Sequence, residues 1–217
     1  MIIDLNLRQK AVVVVGGGRE AFRKVDALLS QDCRITVIAV DVDHEIQRLA
    51  DEKKVFLRRQ NVASGDCLRE FSDLILVVAA TNDISLNREL VEAARGLGCY
   101  AYAVDDPEHS DFSHPAVINL HDTVQIAVST GGKSPLMAGK IRERAEPVFR
   151  ELIKKEDILQ IRLQEKLRKK AKEKIDGVDA RKRFLIAVFQ DETIRQLLAQ
   201  DKMEEAESAA LRKLDNR

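Results

Sequence analysis

The sequence carries no net charge, because 36 lysines and arginines stand against 36 aspartates and glutamates. No global field therefore steers it towards nucleic acid or an anionic membrane, and a polyanionic ligand must be met by a local patch. Long apolar runs are also missing. None approaches the ~18 residues of a membrane span, and the start at Met1 shows no signal-peptide pattern. Aromatic residues are scarce, at 4% with no tryptophan, which bears on the charged stretch 154–174. An arm that grips nucleic acid interleaves cations with stacking rings. This stretch has none and mixes in acids, so it reads as a solvated helical face. Cysteine is sparse and unpaired: Cys33, Cys67 and Cys99 are odd in number, far apart and form no C-x-x-C. Each lies in or beside an apolar segment, as free buried thiols of a cytoplasmic protein would.

Against these absences stands Val12-Val13-Val14-Val15-Gly16-Gly17-Gly18-Arg19-Glu20-Ala21. Four β-branched residues make a buried strand, three glycines make a tight turn, and an amphipathic stretch follows with Phe22, Val25, Leu28 and Leu29 on one face. That order sets a helix N-terminus, with unpaired N–H groups and a positive dipole end, at a sheet edge, where a pyrophosphate binds. Gly16 and Gly18 serve the turn and the ligand's close approach, and Ala21 serves tight helix–strand packing. With strand and helix flanking it, the G-x-G-x-x-A pattern predicts a dinucleotide site.

Further strands are expected at 33–40, 54–57, 73–80 and 100–104, with a helix over 85–97 closed by Gly98. Strands alternating with helices give an α/β fold, a Rossmann-type doubly wound parallel sheet, whose ligands lie beyond the strands' carboxyl ends. Past Asp111 the character changes. Short β-like runs at 116–120 and 125–129 flank His121-Asp122-Thr123, and Ser134-Pro135 opens a helix as cap and first position. From about residue 145 the chain is helical and charged, with Asp176-Gly177 as its clearest break. Three segments are expected: a dinucleotide-binding domain over 1–112, a small β excursion over 113–145 serving dimerisation and the substrate site, and a helical domain over 146–217.

Several side chains fall at the expected strand ends. Asp41 follows Val40 about 20 residues past the glycines, where an acid accepts hydrogen bonds from the adenosine ribose and repels a 2′-phosphate, favouring NAD over NADP; Asp43 is an equal candidate. Thr81 and Asn82 either wall the cofactor or make an ordinary turn. Asp105, shielded beside Asp106, is either a general base or a turn residue. The run Ser129-Thr130-Gly131-Gly132-Lys133-Ser134 offers N–H groups and a cation as a second anion site suited to a carboxylate substrate. His109, His114 and His121 match no metal-ligand spacing, so no metal site is expected.

The quoted motifs Val14–Leu29, Ala79–Asn87, Val104–Ala116 and Val128–Pro135, in this order and spacing, resemble the precorrin-2 dehydrogenases and the N-terminal half of the siroheme synthases. The resemblance covers roughly residues 1–145 well and the remainder in layout. It implies NAD-dependent oxidation of precorrin-2, a tetrapyrrole, to sirohydrochlorin in a homodimer, with the segment after strand five exchanged across the interface. It assigns catalysis to Asp105, cofactor contacts to Arg19, Glu20, Val40 and Asp41, and a place near the tetrapyrrole to Thr130. Glu20 stands where the family commonly has valine, which sets an acid near a pyrophosphate. The sequence ends at Arg217, so the methyltransferase half of the multifunctional synthases is expected to be absent. Two other functions stay open: a bifunctional dehydrogenase and sirohydrochlorin ferrochelatase, and an NAD-sensing module. The sensor needs the glycine turn and Asp41 but neither Asp105 nor the second anion loop.

Overall fold

The computed structural model describes residues 2–215. Strand β1 (Ala11–Val15) is buried along its whole length. Its side chains alternate between two cores: Val12 and Val14 enter one with Val25, Ile35 and Ile46, while Val13 and Val15 enter the other with Val77, Leu90 and Ala101. A strand covered on both faces has no polar side to alternate with, which explains the unbroken valine run. Strands β2 (Arg34–Ala39), β3 (Phe56–Arg59), β4 (Leu74–Ala79) and β5 (Tyr100–Ala103) complete a five-stranded parallel sheet of order β3-β2-β1-β4-β5. Helices α1 (Arg19–Leu28), α2 (His44–Asp51) and α3 (Ile84–Gly96) cover it. The doubly wound parallel sheet is thus present.

Two local expectations differ. The third strand lies two residues later than 54–57, because Lys53 is left-handed (φ 58°) and the Lys54 N–H donates to the Leu49 carbonyl at 2.9 Å, closing helix α2. That helix was not foreseen; its start is set by Asp43, whose carboxylate caps the Glu45 N–H at 2.9 Å.

The chain divides into two compact units, Met1–His114 and Pro115–Arg217. In the second, β6 (Ala116–Leu120) and β7 (Val124–Val128) pair antiparallel. His121 and Asp122 between them have φ 54° and 50°, the left-handed pair that matches hairpin twist. Helix α4 (Pro135–Leu152) starts as the sequence predicts, with Ser134 Oγ accepting from the Met137 N–H at 3.2 Å. Helices α5 (Lys155–Lys174), α6 (Val178–Phe189), α7 (Glu192–Ala199) and α8 (Met203–Asp215) enclose a core of Leu163, Leu167, Phe184, Val188, Ile194 and Ala210. Gly177 (φ 83°) makes the break before α6. The lysine-rich face of α5 is not simply solvated: Lys166 and Lys170 lie 2.7 and 3.1 Å from Glu207 on α8. Among the described residues no helix is long and apolar enough to cross a membrane.

Candidate functional site

Val15, Ile38, Ala79 and Ala103 sit in one row across the sheet. The segments that carry every candidate of the first unit leave the sheet just beyond this row. Strand order reverses between β1 and β4, which opens a crevice there, the usual ligand position in such sheets.

The glycine turn divides its work among its three residues. Gly16 has φ +122°, and a Cβ on it would lie 2.1 Å from the Ala80 carbonyl oxygen. A Cβ on Gly17 would lie 2.0 Å from the Asp41 carbonyl oxygen. Both glycines are therefore needed for the chain to pass its own backbone. A Cβ on Gly18 would meet nothing within 4 Å. Gly18 is exposed and is the N-cap of α1, with no side chain capping the helix. The first-turn N–H groups of α1 thus face an open cradle with their donors unspent. Such a cradle fits a diphosphate.

Glu20 does not spoil this. Its carboxylate accepts from Arg23 Nη1 at 2.8 Å along the exposed side of α1, so a cation one turn on offsets the charge. Arg19 is exposed at the helix start. At the end of β2 the two aspartates separate. Asp43 is used in capping α2, and its N–H donates to the Gly17 carbonyl at 2.7 Å. Asp41 is exposed, and its carboxylate has no hydrogen-bond partner among the described residues. Val40 is 53% exposed, unusual for a valine beside a core. Arg59, which the sequence reading passed over, braces this corner by donating to the Val40 carbonyl at 2.8 Å and to Gln47 Oε1 at 2.6 Å.

Beyond β4 the residue that organises the site is Asn87. It is fully buried (0% exposed) on α3. Its Oδ1 accepts from the Thr81 N–H (3.1 Å) and Thr81 Oγ1 (2.7 Å), while Nδ2 donates to the Thr81 carbonyl (3.1 Å) and to Asp105 Oδ1 (2.8 Å). All four of its hydrogen-bonding positions are filled, as a buried amide requires. The Thr81 hydroxyl is therefore turned inward and belongs to the scaffold rather than to a cofactor wall; Asn82 is the exposed polar side chain of that loop. The signal for Asn87 lay in the sequence as a polar residue one turn before Leu90 and Val91 on the buried stripe of α3.

Asp105 is exposed rather than shielded. One carboxylate oxygen is tethered to Asn87, which fixes its direction. Asp106 plays a different part: it lies 3.0 Å from His109 Nδ1 and accepts from Arg88 Nε at 3.1 Å. Those bonds, His109's foremost, hold its carboxyl below the usual aspartate range. The neighbouring acids thus have distinct roles, Asp106 locking the turn and Asp105 presenting a free oxygen.

His114 packs edge-on to Tyr102 (centroids 4.7 Å) and near Phe112 (5.3 Å), with Lys24 Nζ 4.6 Å from the Tyr102 ring centre. Although the residue as a whole stays exposed, lost solvation of the ring, and then the Lys24 charge, lower its pKa from 6.5 to about 4. An unfolded chain takes up that proton near 6.5 while the folded one resists until about 4. Stability therefore falls as pH drops through this window. His114→Gln is expected to flatten the Tm-versus-pH curve there; an unaltered slope would remove His114 as a contributor.

In the second unit, Gly131 (φ 61°) and Gly132 (φ 80°) form the turn before α4. The expected row of free N–H groups is largely spent inside it. The Gly131 N–H donates to Ser129 Oγ (3.1 Å), Lys133's to the Thr130 carbonyl (3.2 Å) and Ser134's to Thr130 Oγ1 (3.0 Å). What remains outward is the Gly132 N–H and the exposed Lys133 ammonium, so an anion here is met chiefly by a cation.

An open sheet with an uncapped glycine-turn helix at its switch point defines a dinucleotide-binding α/β protein. Sequence comparison carries this further. The family model described as "Putative NAD(P)-binding" matches residues 3–116, "Sirohaem biosynthesis protein central" matches 122–144 and "Sirohaem synthase dimerisation region" matches 161–214. The chain belongs to the NAD(P)-binding, sirohaem-synthase family. It is 30% identical over 198 residues to siroheme synthase 2 of Aeromonas hydrophila, covering 91% of this chain and 40% of that protein. It is 31% identical over 201 residues to the siroheme synthase of Tolumonas auensis (93% and 41%) and 38% identical over 144 residues to that of Methylococcus capsulatus (66% and 29%). The chain thus spans well under half the length of these relatives. A solved structure titled "SirC, precorrin-2 dehydrogenase" matches with a TM-score of 0.66 at 21% identity over the whole of both chains, which shows a shared fold.

Proposed function

We propose that this protein is an NAD-dependent precorrin-2 dehydrogenase that forms sirohydrochlorin, acts in the cytoplasm and works as a homodimer. The observation that carries the reading is the Asn87–Asp105 tether: a buried amide holds one oxygen of an exposed carboxylate at 2.8 Å at the carboxyl end of β5. A fold that only sensed a nucleotide has no use for a fixed, outward carboxylate at that position.

Bound NAD supplies the hydride acceptor, and the chain's own residues do the rest. The first-turn N–H groups of α1, with Gly18 leaving room, hold the diphosphate; Arg19 adds charge; Asp41 accepts from the ribose hydroxyls, selecting NAD against a 2′-phosphate. Val40 and Asn82 line the same rim, and Glu20 stays paired with Arg23. Asp105 takes the proton released as the macrocycle loses a hydride, then passes it to solvent. Within the second unit, Lys133, with Gly131, Gly132 and Thr130 shaping its loop, offers a cation to a carboxylate-bearing ligand.

Support for the homodimer is the stripe Met137, Ile141, Val148 and Leu152 on α4, all exposed and on one helix face, together with the family's dimerisation region. Free cysteines at Cys33, Cys67 and Cys99 suit a reducing compartment. Burial pushes all three thiols up, away from the thiolate form.

The test is spectroscopic. Protein mixed with NAD and precorrin-2 is expected to yield NADH and sirohydrochlorin in equal amounts; no NADH would leave the sensor reading ahead. The siroheme-synthase name of the relatives favours one second reading, that the chain also inserts iron. Adding Fe²⁺ to the completed reaction tests it, with siroheme formed faster than in protein-free solution supporting it and an equal rate excluding it.

A further inference from the structure

Beside Asp41 stands a cation whose charge none of these roles uses. Arg59 is the last residue of β3 and lies in register with Ala39 of β2, at the foot of the turn that carries Asp41. Its Nη1 donates to the Val40 carbonyl at 2.8 Å and its Nη2 to Gln47 Oε1 at 2.6 Å. Gln47 is oriented in turn, because its Nε2 donates to Asp51 Oδ1 at 2.8 Å. Both bonds of Arg59 end on neutral oxygens, and a guanidinium has five N–H donors. It has donors to spare.

The neighbouring arginines are spent differently. Arg58 meets Glu70 at 2.5 Å and Arg48 meets Glu45 at 2.7 Å. No carboxylate pairs with Arg59 among the described residues, and no cation pairs with Asp41. Both side chains are exposed. Opposite charges on one corner would ordinarily close on each other, but here each is held. The Val40 carbonyl and Gln47 fix the guanidinium. The turn bearing Asp41 is pinned against the glycine turn, where the Asp43 N–H donates to the Gly17 carbonyl at 2.7 Å.

Resting on the dinucleotide reading above, we infer that Asp41 and Arg59 together set which dinucleotide the protein takes. Asp41 accepts from a free 2′-hydroxyl, and Arg59 is a receptor for a 2′-phosphate that the Asp41 charge alone keeps closed. A planar guanidinium fork matches phosphate oxygens, and an arginine near the ribose is how such folds take the phosphorylated cofactor. Rejection of the 2′-phosphate is then one like-charge repulsion laid over an otherwise favourable cation, specificity by a repulsive element. The brace on Val40 is a separate duty, since it serves both dinucleotides alike.

The test is calorimetric titration of the full chain with NAD and with NADP, without tetrapyrrole. The unaltered protein is expected to favour NAD by at least about tenfold. Asp41→Asn keeps the side chain's shape and is expected to raise NADP affinity by at least about tenfold. Adding Arg59→Met to that variant is expected to lower NADP affinity relative to NAD by at least about tenfold. Arg59→Lys in the same background keeps the charge without the fork and is expected to fall between the two. The ratio of the two affinities is the readout, because loss of a mere brace would weaken both dinucleotides equally. NADP affinity unmoved by Asp41→Asn, or a ratio unmoved by Arg59→Met, would overturn the proposal while leaving NAD binding in place. An unaltered protein that binds neither dinucleotide would remove the dinucleotide reading and the proposal with it. A failed precorrin-2 assay leaves these outcomes untouched.

Discussion

Replacing Asp105 with asparagine is expected to slow precorrin-2 oxidation by about 10²–10⁴-fold, the usual effect of a positioned base, with NAD affinity largely unchanged. The variant is clean for a structural reason. Asp105 Oδ1 accepts from Asn87 Nδ2 at 2.8 Å, and an asparagine amide can turn its oxygen to the same donor. The tether survives and only the base is lost. Asn87→Ala tests the other half. It leaves the half-buried Thr81 N–H without its acceptor, costing about 1–3 kcal/mol of stability, and frees Asp105 to wander. Turnover is then expected to fall while the carboxylate remains. Unchanged kcat in Asp105→Asn would reduce Asp105 to a turn residue.

The glycine turn yields the second large effect, as a contrast among neighbours. Gly16→Ala sets a Cβ 2.1 Å from the Ala80 carbonyl oxygen and holds an L side chain at φ +122°. Steric overlap contributes about 1–3 kcal/mol and the backbone conformation about 1–3 more. Gly17→Ala meets the Asp41 carbonyl oxygen at 2.0 Å and incurs the steric part alone. In a chain of this length each kcal/mol lowers Tm by roughly 2–4 °C. Gly18→Ala has open space before it, so its Tm should hold while NAD binding weakens. Thermal melts beside NAD titrations of the three variants decide the matter. Loss of stability in Gly18→Ala, or its absence in Gly16→Ala, would contradict the division of labour.

These contrasts show what a sequence can and cannot disclose. The sheet was legible because both its faces are buried: runs such as 12–15 and 74–79 must be apolar throughout, and turn-forming residues, Gly16 to Gly18 after the first and Thr81 to Asp83 after the second, follow them. Asp105 was legible by its place at a strand end. Its tether was not, because Asn87 lies 18 residues away in sequence and meets it only once α3 packs beside β5. The G-x-G pattern named the turn and the ligand's approach together, because it does not show which glycine passes the chain's own backbone and which leaves room for a ligand. The loop at 130–133 misled for a related reason: glycines release N–H groups, but only the folded turn shows that Ser129 and Thr130 recapture three of them. Asp41 and Asp43 were indistinguishable until α2 claimed one as its cap.

The most direct measurement is a crystal structure of the protein with NAD and a tetrapyrrole bound. The account predicts the diphosphate against the first turn of α1 beside Gly18, and the free oxygen of Asp105 turned towards the macrocycle with the other still on Asn87. A diphosphate seated elsewhere, or Asp105 turned away from the ligand, would contradict it.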